Sequence, residues 1–213
     1  MNSIYFKFLT ISVFILILIF LVLNYSEIEA QNIKKEKIDL CCSWGSQLKD
    51  GILSYKIIKG NNEFEKIAKS AFFEWEIALS NNIKFKNLKD SETADIEIKF
   101  KKSNDNQEGG HAVIYFNDNG FIDNVEISVS KTSNGTALNQ TMLEHIIKHE
   151  IGHALGLGHS QFPYTIMYPV VNETVTKISK CEIDAVKNAN NWKFVKNTKK
   201  PKVLEQSVYK CIK

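Results

Sequence analysis

Arginine is missing from the chain: each of the 27 basic residues among its 213 is a lysine. The planar fork that grips phosphates and base edges in pairs of hydrogen bonds is therefore absent. With a net charge of only +3, no nucleic-acid partner is expected. Proline (three) and glycine (ten) are scarce, which excludes collagen-like and low-complexity chains. An apolar share of 44% excludes a fully disordered one. Four cysteines are too few for a disulfide scaffold, and no C-x-x-C knuckle is there to build a zinc ribbon. No internal repeat is found. The length suits one domain with short appendages.

Long apolar runs are also missing, with one exception. Residues 8–23 (FLTISVFILILIFLVL) are sixteen without a charge, after Lys7 and before a polar, acidic stretch. Only Thr10 and Ser12 interrupt the run, so it lacks the polar face of a core helix. It reads as a cleaved signal peptide or, counted over residues 4–23, as a membrane anchor; both remain open. Either places the rest of the chain outside the cytoplasm, secreted or held on the outer face of the cell membrane. In that oxidising setting Cys41, Cys42, Cys181 and Cys211 are expected to form disulfides. Adjacent cysteines rarely bridge, so the expected link runs from Cys41 or Cys42 to Cys181 or Cys211. N-x-T sequons stand at Asn134, Asn139 and Asn172.

Patterning divides the remainder. Residues 1–30 are the leader or anchor, 31–43 a Lys-rich linker, 44–193 the folded domain and 194–213 a solvated basic tail. From residue 191 onward the chain carries seven Lys against one Glu. Apolar residues at Phe64, Ile67, Ala68, Ala71, Phe72, Trp75, Ala78 and Leu79 recur at three and four, predicting an amphipathic helix over 62–80. Strict alternation predicts half-buried strands at ADIEIKF (94–100) and NVEISVS (124–130). The unbroken apolar run HAVIYF (111–116) predicts a more buried strand. Shorter strands are expected at 51–58 and 83–88. A second helix is expected over 138–155, stopped by Gly156. A third is expected over 179–190, with Ser179 as its cap and Glu182 closing a capping box. The order predicts a small α+β domain.

The chemistry concentrates in HEIGHALGLGH (149–159). His149 and His153 are four apart, so a helix projects both rings from one face. Two imidazoles at that spacing can share one ion. Glu150 is turned away from His149 by about 100°, placing it beside a metal as a base rather than as a ligand. Gly156 and Gly158 let the chain double back so that His159 supplies a third nitrogen. Three neutral histidines leave one zinc position open, the pattern of a catalytic site.

This stretch, with Met167 in TIMYP (165–169), resembles the metzincin zinc metalloproteases, and among them the matrixins. The resemblance covers about residues 44–193. It implies a metzincin-like domain with a twisted mixed sheet of about five strands, an active-site helix and a C-terminal helix. It also implies one catalytic Zn2+ held by His149, His153 and His159, with Glu150 as the general base and Met167 in a tight turn beneath the metal. The resemblance further implies an extended protein or peptide substrate lying along the edge at His111, Ala112 and Val113. Ile146 would then line the pocket for the residue after the cut, and Pro169 and Val170 would form its outer wall. The implied activity is endoproteolysis of extracellular proteins by a monomer. A zinc-binding but idle adhesion or scaffold protein is the alternative, and the presence of Glu150 speaks against it.

Departures from the family are as informative. The stretch 101–130 holds a single histidine, His111, so a second, structural zinc is not expected. His111 is read as structural rather than metal-binding, His145 as a helix-surface or packing residue, and Tyr168 as packing. No Pro-rich cysteine switch is present, so a disulfide is preferred to latency through a thiolate.

Overall fold

The computed structural model describes residues 36–211, apart from 59, 90–91, 104–107, 134 and 196–199. The apolar segment at 4–23 lies outside the described residues. Among the described residues no helix is long and apolar enough to cross a membrane.

Elements follow in the order β1 (Lys37–Leu40), a 3-10 turn (Ser46–Leu48), β2 (Ile52–Ile58), α1 (Asn62–Ala78), β3 (Lys84–Asn87), β4 (Ile96–Lys101), β5 (Gly110–Phe116) and β6 (Ile122–Ser130). A small hairpin, β7 (Thr132–Ser133) and β8 (Thr136–Ala137), leads into α2 (Gln140–Ala154). Then come β9 (Leu157–Ser160), α3 (Lys180–Ala189), α4 (Asn191–Phe194) and β10 (Ser207–Lys210). The main sheet has the order β3-β2-β4-β6-β5. Its first four strands are mutually parallel and β5 runs antiparallel to β6. The expected α+β class and five-stranded mixed sheet are both present.

Period-two patterning explains how the sheet packs. On β2, β4 and β6, alternate residues (Leu53, Tyr55, Ile96, Ile98, Val125, Ile127) are buried in the core shared with α1 and α2. The opposite face carries an ionic ladder across the same strands. Lys56 meets Glu97 at 2.8 Å, and Lys99 meets Glu126 at 2.9 Å. Such half-buried surface pairs contribute modestly each, but they keep that face wetted and the register unambiguous. Helix α1 starts at Asn61, whose side chain accepts from the Phe64 N–H at 2.9 Å. It ends before Ser80 and Asn81, both left-handed at φ 55° and 57°.

Helix α1 is locked to α2 by polar contacts inside the core. The buried Trp75 indole donates to the Lys148 carbonyl at 2.9 Å. The Lys148 ammonium, almost wholly buried, meets Glu74 at 2.6 Å, Glu144 at 2.7 Å and the Thr176 carbonyl at 2.8 Å. A buried charge is tolerable only when its donors are satisfied in this way.

Four expectations need correction. The linker holds a strand: β1 is antiparallel to β9 on one side and to β10 on the other. The tail is not wholly solvated, because β10 pairs residue for residue with β1 and Cys211 is buried. The run HAVIYF is not a more buried strand. As β5 it forms the sheet edge, with Val113, Tyr115 and Phe116 exposed. The cysteines pair as Cys41–Cys42 and Cys181–Cys211, not across the two groups. The last correction follows from the fold: β10 delivers Cys211 to the first turn of α3, where Cys181 sits.

Candidate metal centre and cleft

Helix α2 is capped by Asn139, whose side chain accepts from the Met142 N–H at 2.9 Å. It stops at Gly156, which is left-handed at φ 97°. A side chain there would run into the Cys42 carbonyl oxygen, so only glycine lets the chain turn back at this point. That turn brings His159, on β9, against the two histidines of α2. The three rings have centroids 4.7, 5.0 and 5.3 Å apart, and their ligand nitrogens all lie within 4.8 Å of one another.

Protons on the two helical rings are placed by their neighbours. His149 Nδ1 lies 2.7 Å from the Ile166 carbonyl, and His153 Nδ1 lies 2.8 Å from the Leu157 carbonyl. A carbonyl only accepts, so each Nδ1 carries the hydrogen and each Nε2 is left with a bare lone pair. Those two Nε2 atoms face each other at 3.0 Å. Two acceptors at that distance repel unless a proton or a cation stands between them. Burial, first of all, holds the His149 imidazole down to about 3 and His153 down to about 4, which keeps a proton out. The donor set therefore fits a metal, and three imidazole nitrogens suit zinc.

Glu150 stands beside this cluster and is buried. Loss of solvation, and then the charge of Glu108, push its carboxyl up to about 8. Its Oε2 atom is buried without a hydrogen-bond partner among the described residues. A neighbouring cation would draw the pKa back down. Gly110, the first residue of β5, makes room for this carboxylate: any Cβ there would overlap Glu150 Oε1. Sequence reasoning missed Gly110, and the Gly109-Gly110 pair was the available signal.

Met167 is fully buried and lies against Gly152 of α2. Its backbone N–H donates to Glu182 Oε1 at 2.8 Å, while Glu182 Oε2 accepts from the Ser179 N–H at 2.6 Å. One buried carboxylate thus closes the expected capping box and also anchors the Met167 turn. That second role had no signal in the sequence. His145 is buried, with Nδ1 3.0 Å from the Val175 carbonyl, so it packs as expected.

The remaining residues sit as follows. Ile146 is buried, and a Cβ on Gly109 would come within 2.6 Å of it. His111 and Val113 face solvent on β5, and Ala112 is half-buried between them. His111 Nδ1 lies 3.6 Å from Glu108. Pro169 and Val170 are exposed just past Met167. A cavity of about 460 Å³ lies elsewhere, between α3, α4 and the segment 200–207.

Residues 43–190 match the family model for matrixin peptidases (peptidase M10). The chain is 30% identical over 135 residues to metalloendoproteinase 1 of Glycine max, covering 58% of this chain and 44% of that protein. It is 28% identical over 129 residues to metalloendoproteinase 1-MMP of Arabidopsis thaliana, covering 55% and 35%. It is 30% identical over 118 residues to the hatching enzyme of Paracentrotus lividus, covering 51% and 19%. The chain thus spans less than half the length of these relatives. With the family match extending over most of its length, the chain belongs to the matrixin family.

Proposed function

We propose that the chain is a zinc-dependent endopeptidase that cuts internal peptide bonds of extracellular proteins. The observation that carries this is the pair of bare, facing Nε2 atoms with His159 beside them and the buried, unpaired Glu150 carboxylate alongside. A metal there supplies Lewis acidity, which makes water nucleophilic near neutral pH and polarises a carbonyl. His149, His153 and His159 hold it. Glu150 accepts the attacking water's proton and passes it to the leaving nitrogen. The exposed edge β5, through His111, Ala112 and Val113, takes an extended substrate by strand addition. Ile146 lines the side-chain pocket, with Pro169 and Val170 outside it, so an apolar residue just after the cut is preferred.

The same reading makes the protein an exported monomer, secreted or anchored through residues 4–23. The names of its relatives, two metalloendoproteinases and a hatching enzyme, support peptide-bond hydrolysis. Metal analysis of the purified chain with a peptide-library cleavage assay tests it. One zinc per chain and cleavage abolished by a chelator are expected. Two tightly held zinc ions, or cleavage indifferent to the chelator, would refute the reading.

A further inference from the structure

The three histidines are not held alike. His149 and His153 are each oriented by a carbonyl at 2.7–2.8 Å from Nδ1. The His159 ring is exposed, and among the described residues it touches the other two rings but has no hydrogen bond. Its position therefore depends on the backbone of β9. That strand is an edge of the small sheet ordered β10-β1-β9. Ile38 of β1 stands opposite Ser160, and Leu40 opposite Leu157. The Cys41 N–H donates to the Gly156 carbonyl at 3.1 Å.

β1 is itself a four-residue strand, and a two-stranded ribbon of that length is barely stable alone. β10 supplies the third strand. It pairs over four positions, from Lys37↔Lys210 to Leu40↔Ser207, and the Cys211 N–H donates to the Glu36 carbonyl at 2.8 Å. The Cys181–Cys211 bridge then ties the end of β10 to α3. Both β1 and β10 lie outside the matched family region, residues 43–190.

We propose that β10 and its disulfide position His159 as a metal ligand, so that the C-terminal extension is part of the support of the metal site. The inference rests on the reading that the three histidines share a zinc ion. The clamp acts through β1 on β9, which carries both His159 and the Leu157 carbonyl that anchors His153, while His149 keeps its separate anchor at the Ile166 carbonyl. Weakening β10 should therefore cost zinc affinity chiefly through His159, with a smaller share through the Leu157 anchor of His153.

The test is zinc affinity, measured on the full oxidised chain by competition with a chromophoric chelator. Ladder alternation makes Ile38 and Tyr209 a hydrogen-bonded pair, so Tyr209→Pro removes a donor from the β10–β1 ladder. The double variant Cys181→Ser/Cys211→Ser releases β10 by a second route. Each is measured with and without His159→Ala. Zinc binding weaker by about tenfold or more is expected in each clamp variant, with a clearly smaller loss in the His159→Ala background, where only the Leu157 anchor of His153 is left to disturb. Unchanged affinity overturns the proposal. So does an equal loss with and without His159, or unfolding of every clamp variant, since the clamp would then hold the domain rather than the ligand. A wild-type chain that takes up no zinc removes the metal centre itself, and the inference falls with it for that separate reason.

Discussion

Helix α2 and strand β9 bring histidines to the same point by different physical means. On α2 the spacing of four sets the direction of two rings, and carbonyls of Ile166 and Leu157 fix their tilt and tautomer. The helix itself is buried among α1 and the sheet. On β9 no side-chain bond orients the ring among the described residues, and placement falls to strand pairing with β1 and to the Ser160 N–H, which donates to the Met167 carbonyl at 2.8 Å. The helical half is thus preorganised mainly by helix geometry and core packing, although the carbonyl that fixes the His153 tautomer belongs to β9. The strand half is preorganised by segments that are distant in sequence. A metal site built this way has one rigid jaw and one that is only as firm as its neighbours.

The largest effect should come from the residue that takes part in the chemistry without holding the metal. Glu150→Gln is expected to lower kcat by about 10²- to 10⁴-fold, the usual contribution of a general base. Zinc content and thermal stability should stay near wild type. This separates the rigid jaw's two tasks, because His149 and His153 flank Glu150 on the same helix. Metal analysis beside steady-state kinetics checks it. Loss of zinc along with turnover would make Glu150 a ligand, and turnover near wild type would make it a bystander.

A smaller but more diagnostic effect concerns pH in the chelated protein. Burial holds the His149 and His153 rings down to about 3 and 4, whereas in the unfolded chain histidine titrates near ~6.5. Between these values the unfolded state binds more protons, so stability falls as pH drops below ~6.5. Glu150 works the other way. Burial pushes its folded carboxyl up to about 8 from its ordinary value of 4.5. It favours the folded state fully below the lower value, and that contribution is lost as pH rises through the upper one. Glu150→Gln should therefore gain stability relative to wild type as pH rises from 5 to about 8. Denaturant titrations at several pH values with chelator present measure this. A difference that is flat across that range would show that the carboxyl is not desolvated.

The same contrast explains what was legible from the amino-acid sequence. The rigid jaw was legible because its determinants are local. A repeat of four, a stop glycine and a following Met are short patterns, and each maps to one geometry. The helix over 62–80 and the alternating strands of β4 and β6 were legible for the same reason. Strands β1 and β10 were not. Four residues carry too little period-two signal, and the Lys-rich context of both reads as solvated chain. Their evidence for one another is a pairing across some 170 residues, as between Ile38 and Tyr209. The cysteine pairing failed with them, since only the position of β10 shows that Cys211 reaches Cys181. HAVIYF was misjudged because an apolar run does not say whether one face or two are covered. On β5 the apolar residues stand at an open edge.

The smallest expected effects come from adding one methyl group to each jaw. A Cβ on Gly152 of α2 would overlap the Met167 sulfur and lie 3.4 Å from Trp75. A Cβ on Gly158 of β9 would come within 2.8 Å of Asp39 Cβ and 3.2 Å of the Asp39 carbonyl oxygen. Overpacking of this size costs roughly 1–3 kcal/mol, so Gly152→Ala and Gly158→Ala should destabilise the fold to a similar extent. They should differ in what happens to the metal. Met is an adaptable side chain that can yield around a new methyl without moving its backbone, so the neighbouring Ile166 carbonyl that anchors His149 can stay in place. Gly152→Ala should accordingly keep zinc affinity near wild type. At Gly158 the obstacle is Asp39 of β1, including its backbone, which yields only by moving off β9, and what moves with β9 is the His159 ring together with the Leu157 carbonyl that anchors His153. Gly158→Ala should therefore lose zinc affinity beyond what its change in stability accounts for. Chelator competition at matched folded fractions reads the difference. If the two variants lose affinity equally, or if Gly158→Ala loses none, the two jaws are equally rigid and the contrast between them is wrong.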